Sequence, residues 1–438
     1  MAKIYPFRAW RYNPSGVRLN EVVTLPCDRI SPALQQAYYQ RNSYNLVRVT
    51  LGLPELFDAE EGETVYTRAA RDFRAWRTQE ILVQENEPCV FAYSQHFTAP
   101  GATRLRERRG FIALGKLLHD SEQIVFPHEQ ASPASGTDRL ALIRATRAQF
   151  DPILMLYSDP GGTIESLLFG SDTAADAEVT DGDGTVNRLW RISDPATIRL
   201  LIAAMDDRKL ILADGSQPYA AALSYANERA AAVASEHSAT ELPHPDFPES
   251  AAMITFANMD SDGLVILPVH RVIHGLDSFD ARAFAAAAES CFVVSALPDL
   301  SAPGYLSLLA KEQSTALIAI TAAGSLLLRG RPEAVGAAAL AGPPEHQRGL
   351  DPRSLNSIVL GRLLGISQET THTHVRGLRD AVEVIDQVRS GEANVAFLAN
   401  PVTMEEVREA AFSGSLMPAQ STDFYPALLS GLAIYALE

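Results

Sequence analysis

Cysteine is scarce in this 438-residue chain: Cys27, Cys89 and Cys291 lie far apart, with no Cys-x-x-Cys pair and no Cys/His ligand spacing. That pattern argues against a disulfide framework and against a structural zinc site, and no metal site is expected. Long apolar runs are missing as well. None approaches the roughly eighteen residues of a membrane helix, and the opening MAKIYPFRAWRYN lacks the apolar core of a secretory signal. The expectation is a cytoplasmic protein with no membrane partner. Positive charge is in deficit, with 37 Lys and Arg against 53 Asp and Glu and a formal net charge of -16. Nucleic-acid affinity comes from neutralising phosphates with cations, so no nucleic-acid partner is expected. Lysine occurs only at Lys3, Lys116, Lys209 and Lys311, which leaves arginine as the working cation. The one basic run, Arg104, Arg106, Arg108 and Arg109, reads as a solvated loop ahead of the apolar segment Phe111 to Leu118. No internal repeat or low-complexity linker is visible.

What is present is an ordinary globular composition, 47% apolar and 21% charged. The length exceeds what one core usually holds, so packed subdomains are expected. A Pro- and His-containing link, Leu242 to Pro248, divides an α/β domain at residues 1–245 from a smaller α+β subdomain at 246–438. Two extended pieces, Ile4 to Tyr12 and Val17 to Leu25, open the chain, and Ser31-Pro32 caps and starts a helix. Leu46 to Leu51 alternates as a strand, while Thr64 to Gln84 and Asp138 to Phe150 carry helical spacing. Asp181-Gly182-Asp183-Gly184 lacks the glutamate that closes a calcium loop and reads as a hairpin turn. The segment around His372 and His374 reads as a solvated strand.

The stretch around which the rest is organised is LILADGSQPYAAALSYANERA, Leu210 to Ala230. A buried strand enters the turn Asp214-Gly215 and leaves as an Ala-rich helix, the usual way an α/β protein aims backbone N–H groups at an anion. Other candidates are Asp28, at a strand-to-helix junction, and His128 beside Glu129 after Phe126-Pro127, which reads as a general acid/base pair or a metal-ligand pair. Adjacent residues of a strand face opposite ways, so His128 and Glu129 share a site only from a loop. His270 and His274 have helical ligand spacing, but Val269, Val272 and Ile273 favour an extended strand.

Taken in order, Arg8 to Tyr12, Pro26-Cys27-Asp28, Asn45 to Arg48, Arg109-Gly110-Phe111, Pro127-His128-Glu129, Asp138-Arg139, Asp214-Gly215 with Tyr219, Leu267 to Arg271 and the tail Met417 to Leu432 resemble the family called domain of unknown function 1015. The resemblance covers nearly the whole chain. The family's central turn is similar to the Asp-Gly-His-His-Arg loop of the superfamily that holds the ParB N-terminal domain, sulfiredoxin and the free-serine kinases. It therefore implies mixed sheets around a strand–turn–helix core, with the tail loop returning to the cleft. It also implies a loop that binds nucleotide phosphates, with ATP or ADP and magnesium as cofactors of an active member. Asp214, Gly215 and Tyr219 match that loop, whereas Ser216, Gln217 and Pro218 stand where the resemblance calls for two histidines and an arginine. In the tail the two lysines of the pattern are Gln420 and Ala427, and its tyrosine is Asp423.

Two readings follow. In one, the chain is a divergent, catalytically impaired relative of a nucleotide-binding phosphotransferase and binds a small molecule through Arg109, His128, Gly215, Ser216, Gln217, Tyr219, His270, Arg271, Gln420, Ser421 and Thr422. In the other it is an active nucleotide-dependent phosphotransferase on a small polar metabolite. Asp214, Glu129 or Asp28 then serves as base or metal carboxylate, and Arg109, His270 and Arg271 clamp the anion. The lost cations favour the first, since each charge-assisted hydrogen bond contributes roughly 1.5 to 3 kcal/mol. Oligomeric state is left open.

Overall fold

The computed structural model of the chain describes residues 2–54, 63–130, 136–170, 173–230, 242–312, 315–331, 333, 355–367 and 369–438. It is a mixed α/β protein, as the sequence leads one to expect. Contacts divide it into two compact units: Met1–Pro127, Ala131–Val265 and Pro426–Glu438 form one, and His128–Gln130 with Ile266–Tyr425 the other.

The first unit is built on strands β1 (Ile4–Tyr5), β2 (Val90–Thr98), β3 (Leu105–Lys116), β4 (Val125–Pro127), β5 (Leu154–Tyr157), β6 (Ala177–Thr180), β7 (Val186–Ile192), β8 (Leu210–Asp214) and β9 (Ala251–Asn258). They form one sheet in the order β4-β8-β5-β9-β3-β2-β7-β6, with β1 against β3. The pairs β8–β4 and β9–β5 are parallel and the rest antiparallel. Fully buried strands read as unbroken apolar runs rather than alternating ones, which is how Leu154–Tyr157 and Leu210–Ala213 read. A core cluster beside the sheet includes Phe73, Trp76, Phe150, Leu46 and Ile434.

Five expectations fail locally. Val17 to Leu25 contains the helical turn Leu19–Val22, pinned where Asn45 Nδ2 donates to the Glu21 carbonyl at 2.7 Å. Leu46 to Leu51 is the helical turn Val47–Thr50: Asn45 Oδ1 accepts from Val47 N at 3.0 Å, and burial of Leu46, Val47 and Val49 overrides their β propensity. The helices from Thr64 and Asp138 end early, as Val65–Thr78 and Gly136–Thr146. Left-handed Glu80 (φ 57°) and Arg147 (φ 51°) then turn the chain into the short strands Leu82–Gln84 and Ala148–Gln149. The Arg104 to Arg109 run is largely strand, because Arg108 is buried and donates to the Pro426 carbonyl at 2.6 Å.

The second unit holds a six-stranded antiparallel sheet of β10 (His270–Ile273), β11 (Phe292–Leu297), β12 (Ala316–Thr321), β13 (Gly324–Gly330), β14 (Val375–Leu378) and β15 (Val395–Leu398). Their order is β11-β13-β12-β15-β10-β14. Its two faces carry separate cores by strict alternation: Ile273, Leu317, Ala319 and Phe397 on one, Val272, Ile318, Ile320 and Ala396 on the other. His372 and His374 belong to the helical turn Thr371–His374, not to a strand, and His374 Nδ1 donates to the His274 carbonyl at 3.1 Å. The spacing from Asp351 to Leu364 predicts a helix; residues 351–354 lie outside the described residues, and Leu355–Leu363 is a π-helix.

Candidate functional site

In the first unit β8 ends at Asp214, Gly215 takes φ 79°, and the helix Ser216–Ala230 begins at once. Glycine is required at that point twice over. The backbone is left-handed, and a Cβ would stand 2.7 Å from the Pro152 carbonyl oxygen and 2.9 Å from the Ile153 Cα. The carboxylate of Asp214 accepts from Gly215 N at 2.8 Å and from Arg29 Nη2 at 3.1 Å. Thus the backbone donor at this turn is taken by the chain's own carboxylate. Arg29 arrives on the 3-10 turn Cys27–Arg29, on which Asp28 is exposed. Tyr219 is buried and its hydroxyl closes a loop, donating to the Leu118 carbonyl at 2.9 Å and accepting from Leu118 N at 3.0 Å. Ser216 is exposed and Gln217 half-buried, while Pro218 lines a cavity of about 20 Å³ together with Arg139, Gln149 and Asp151. A space of that size holds about one water. Arg139 is buried and tied to Asp151 at 2.9 Å, to Asp138 at 2.5 Å and to the Thr50 carbonyl at 2.8 Å.

Arg109 stands apart from this turn. It lies on β3, while Asp214 lies on β8 with β5 and β9 between, three strand spacings or roughly 14 Å. There Arg109 pairs with Glu107 at 2.9 Å and stacks on the Phe169 ring at 5.1 Å.

In the second unit the tail turn, Met417 to Thr422, is brought to His128 and Glu129. Glu129 bridges Met417 in parallel, with Met417 N donating to the His128 carbonyl and Gln130 N to the Met417 carbonyl, each at 2.8 Å. One oxygen of Glu129 accepts from Gln420 N at 2.9 Å; the other accepts from Thr422 N at 2.7 Å and from the Thr422 hydroxyl at 2.5 Å. His128 Nε2 lies 2.8 Å from the Thr422 hydroxyl and 3.4 Å from Glu129 Oε1. The neighbours thus share one site, because this segment is not held in a continuous strand. Burial alone pushes the Glu129 carboxyl up. Hydrogen bonds from His128 and Thr422, with the His128 charge, outweigh it and hold the group below its ordinary range.

Arg271 completes the turn from behind. It is buried, and its Nη2 donates to the carbonyls of Ala419 at 3.0 Å and Gln420 at 2.8 Å. Burial pulls its guanidinium down to about 10, with the charge of Glu129 acting in the opposite direction. Gly377, paired with Arg271 across β10 and β14, makes the room: a Cβ there would lie 2.8 Å from both Arg271 Nη1 and Gln420 Oε1. Gln420 itself is left-handed at φ 58°. The Ser421 hydroxyl donates within the turn to the Pro418 carbonyl at 2.6 Å. His270, next along β10, projects to the opposite face. It is buried, its Nδ1 accepts from Ala399 N at 3.3 Å, and burial lowers its pKa to about 4, so it is a neutral core histidine away from Arg271. Asp423, also buried, pairs with Arg379 at 2.9 Å. Among the described residues no three His, Cys, Asp or Glu side chains are placed to hold one metal ion, and no helix is long and apolar enough to cross a membrane.

Residues 4–351 match the family described as Protein of unknown function (DUF1015). The chain belongs to this family. No curated protein matches it. Solved structures similar to it include a conserved hypothetical protein from Pyrococcus furiosus, 13% identical with a TM-score of 0.36, covering 72% of this chain and 92% of that one. A free serine kinase in complex with AMP is 12% identical with a TM-score of 0.34, over 72% of this chain and 86% of that one. SbnI with C-terminal truncation from Staphylococcus aureus is 9% identical with a TM-score of 0.36, over 73% and 87%. Likeness at this level leaves the chemistry of this chain to its own residues.

Three partners escaped the sequence reading: Arg29 for Asp214, Asp151 for Arg139, and Arg379 for Asp423. Their separations along the chain offer no periodic signal, although Arg29 directly follows the flagged Asp28.

Proposed function

We propose that the protein is a small-ligand-binding member of its family in which phosphotransfer is impaired. The observation that carries this reading is the filling of the tail turn by Glu129, whose carboxylate takes the N–H groups of Gln420 and Thr422 and the Thr422 hydroxyl. Those are the donors a transferred phosphoryl group needs, and a carboxylate so held is a poor base, since its proton affinity is lowered. The turn after β8 supports the same conclusion. Asp214 is committed to Arg29 and to Gly215 N, and Ser216, Gln217 and Pro218 supply no cation.

The donor set is therefore a poor fit for a magnesium nucleotide, and no step through one is derived. The ligand class consistent with the residues is a small polar molecule rather than a nucleoside triphosphate. Thermal unfolding of the wild-type chain with ATP or ADP, each with magnesium, tests the reading. A nucleotide at a hundred times its dissociation constant adds about 2.7 kcal/mol, so a strong binder is visible at once. The expected result is no shift and no phosphate release. A clear shift with turnover of ATP overturns the proposal in favour of an active phosphotransferase.

A further inference from the structure

We infer that the turn Pro418 to Thr422 is an oxyanion site of the second unit, suited to inorganic phosphate or a phosphomonoester group, with Glu129 seated in it as a built-in ligand that such an anion displaces. The inference rests on the reading above in taking this turn as the place where anion chemistry is held.

The donors converge as they do around a bound anion. Left-handed Gln420 (φ 58°) sits between two backbone N–H groups, those of Gln420 and Thr422, that point at one carboxylate. Alternation of right- and left-handed residues is what shapes a backbone nest for anions. A hydroxyl from Thr422 and the imidazole of His128 reach the same carboxylate oxygen, so both oxygens of Glu129 are engaged. Arg271 holds the loop in that form by taking its carbonyls from the opposite side, and among the described residues its Nη1 makes no hydrogen bond. The charges around the turn are Arg271 on one hand and Glu129 on the other, while Asp423 is matched by Arg379 at 2.9 Å. With Glu129 withdrawn, the turn keeps a buried cation and at least three directed donors with no counter-charge. A phosphate group carries about -1.5 to -2 at neutral pH and offers more acceptor oxygens than a carboxylate. The Glu129 side chain remains 19% exposed, which leaves it a route outward.

A carboxylate that merely staples the tail would show the same contacts, so the experiment must separate staple from ligand. The probe is inorganic phosphate, with acetate and chloride at matched ionic strength, on the full chain as wild type and as Glu129→Ala. The midpoint of thermal unfolding of Glu129→Ala is expected to rise by about 3 °C in phosphate at roughly ten times its dissociation constant. Acetate restores part of that rise, chloride none, and the wild type moves far less than the variant. Equal midpoints for Glu129→Ala in phosphate and chloride overturn the inference. Should the variant fail to fold in buffer, refolding in phosphate decides: recovery with phosphate supports the site, and failure with both phosphate and acetate rejects it. ATP turnover by the wild type would defeat the proposed function without touching this result.

Discussion

Two turns of this protein, one in each unit, answer the same problem differently. After β8, Asp214 takes a single backbone N–H and the side chain of Arg29, with 37% of its own side chain exposed. At Gln420 to Thr422, Glu129 takes two backbone N–H groups and a hydroxyl, with Arg271 buried behind the loop. The first is a half-solvated ion pair, which contributes little. The second is a set of charge-assisted bonds to backbone in a partly dry place, which contributes more and fixes geometry. The contrast teaches that a carboxylate at a turn is informative about function only when its donors are known. Asp214 looked like the site in the sequence, but Glu129 holds the richer donor set.

Arg271→Met is the change expected to hurt most. It leaves the carbonyls of Ala419 and Gln420 without their charged donor, and a hydrogen bond to a charged group contributes about 1.5 to 3 kcal/mol. Denaturant unfolding measures it; a loss below 1 kcal/mol would put the two turns on the same footing. Next comes Glu129→Gln, with a loss of about 2 kcal/mol at pH 7. The folded-state pKa of Glu129 is depressed, so its stabilisation is full above the unfolded value of about 4.3 and fades as pH falls through the lower folded value. The stability curves of wild type and variant should therefore converge in acid. Parallel curves would show that the charge does not matter. Asp214→Asn should do least, at most about 1 kcal/mol and weakening with salt, because Arg29 loses a partner that is already wet.

Much of the frame was legible. The run Leu210 to Ala213, the turn Asp214-Gly215 and the Ala-rich helix after it form a local signal that tertiary contacts only reinforce, and the hairpin at Asp181 to Gly184 is of the same kind. Leu46 to Leu51 was not legible, since β-branched residues there are helical for the sake of burial. Within the candidate site, the meeting of Glu129 with Gln420 and Thr422 joins residues 291 and 293 positions apart, and no periodicity encodes it. The opposite facing of His270 and Arg271, by contrast, follows from strand alternation and was available from the sequence. The basic run at Arg104 to Arg109 misled because Arg108 is buried against Gln95 and the Pro426 carbonyl, partners invisible in a linear reading.

The most direct test of the account is calorimetric titration of the wild-type chain with ATP and magnesium at low salt, beside a phosphate-release assay on the same sample. Because Asp214 is committed to Arg29 and to Gly215 N, and Ser216, Gln217 and Pro218 supply no cation for a triphosphate, neither binding heat nor released phosphate is predicted. Saturable heat at submillimolar nucleotide accompanied by turnover would contradict it.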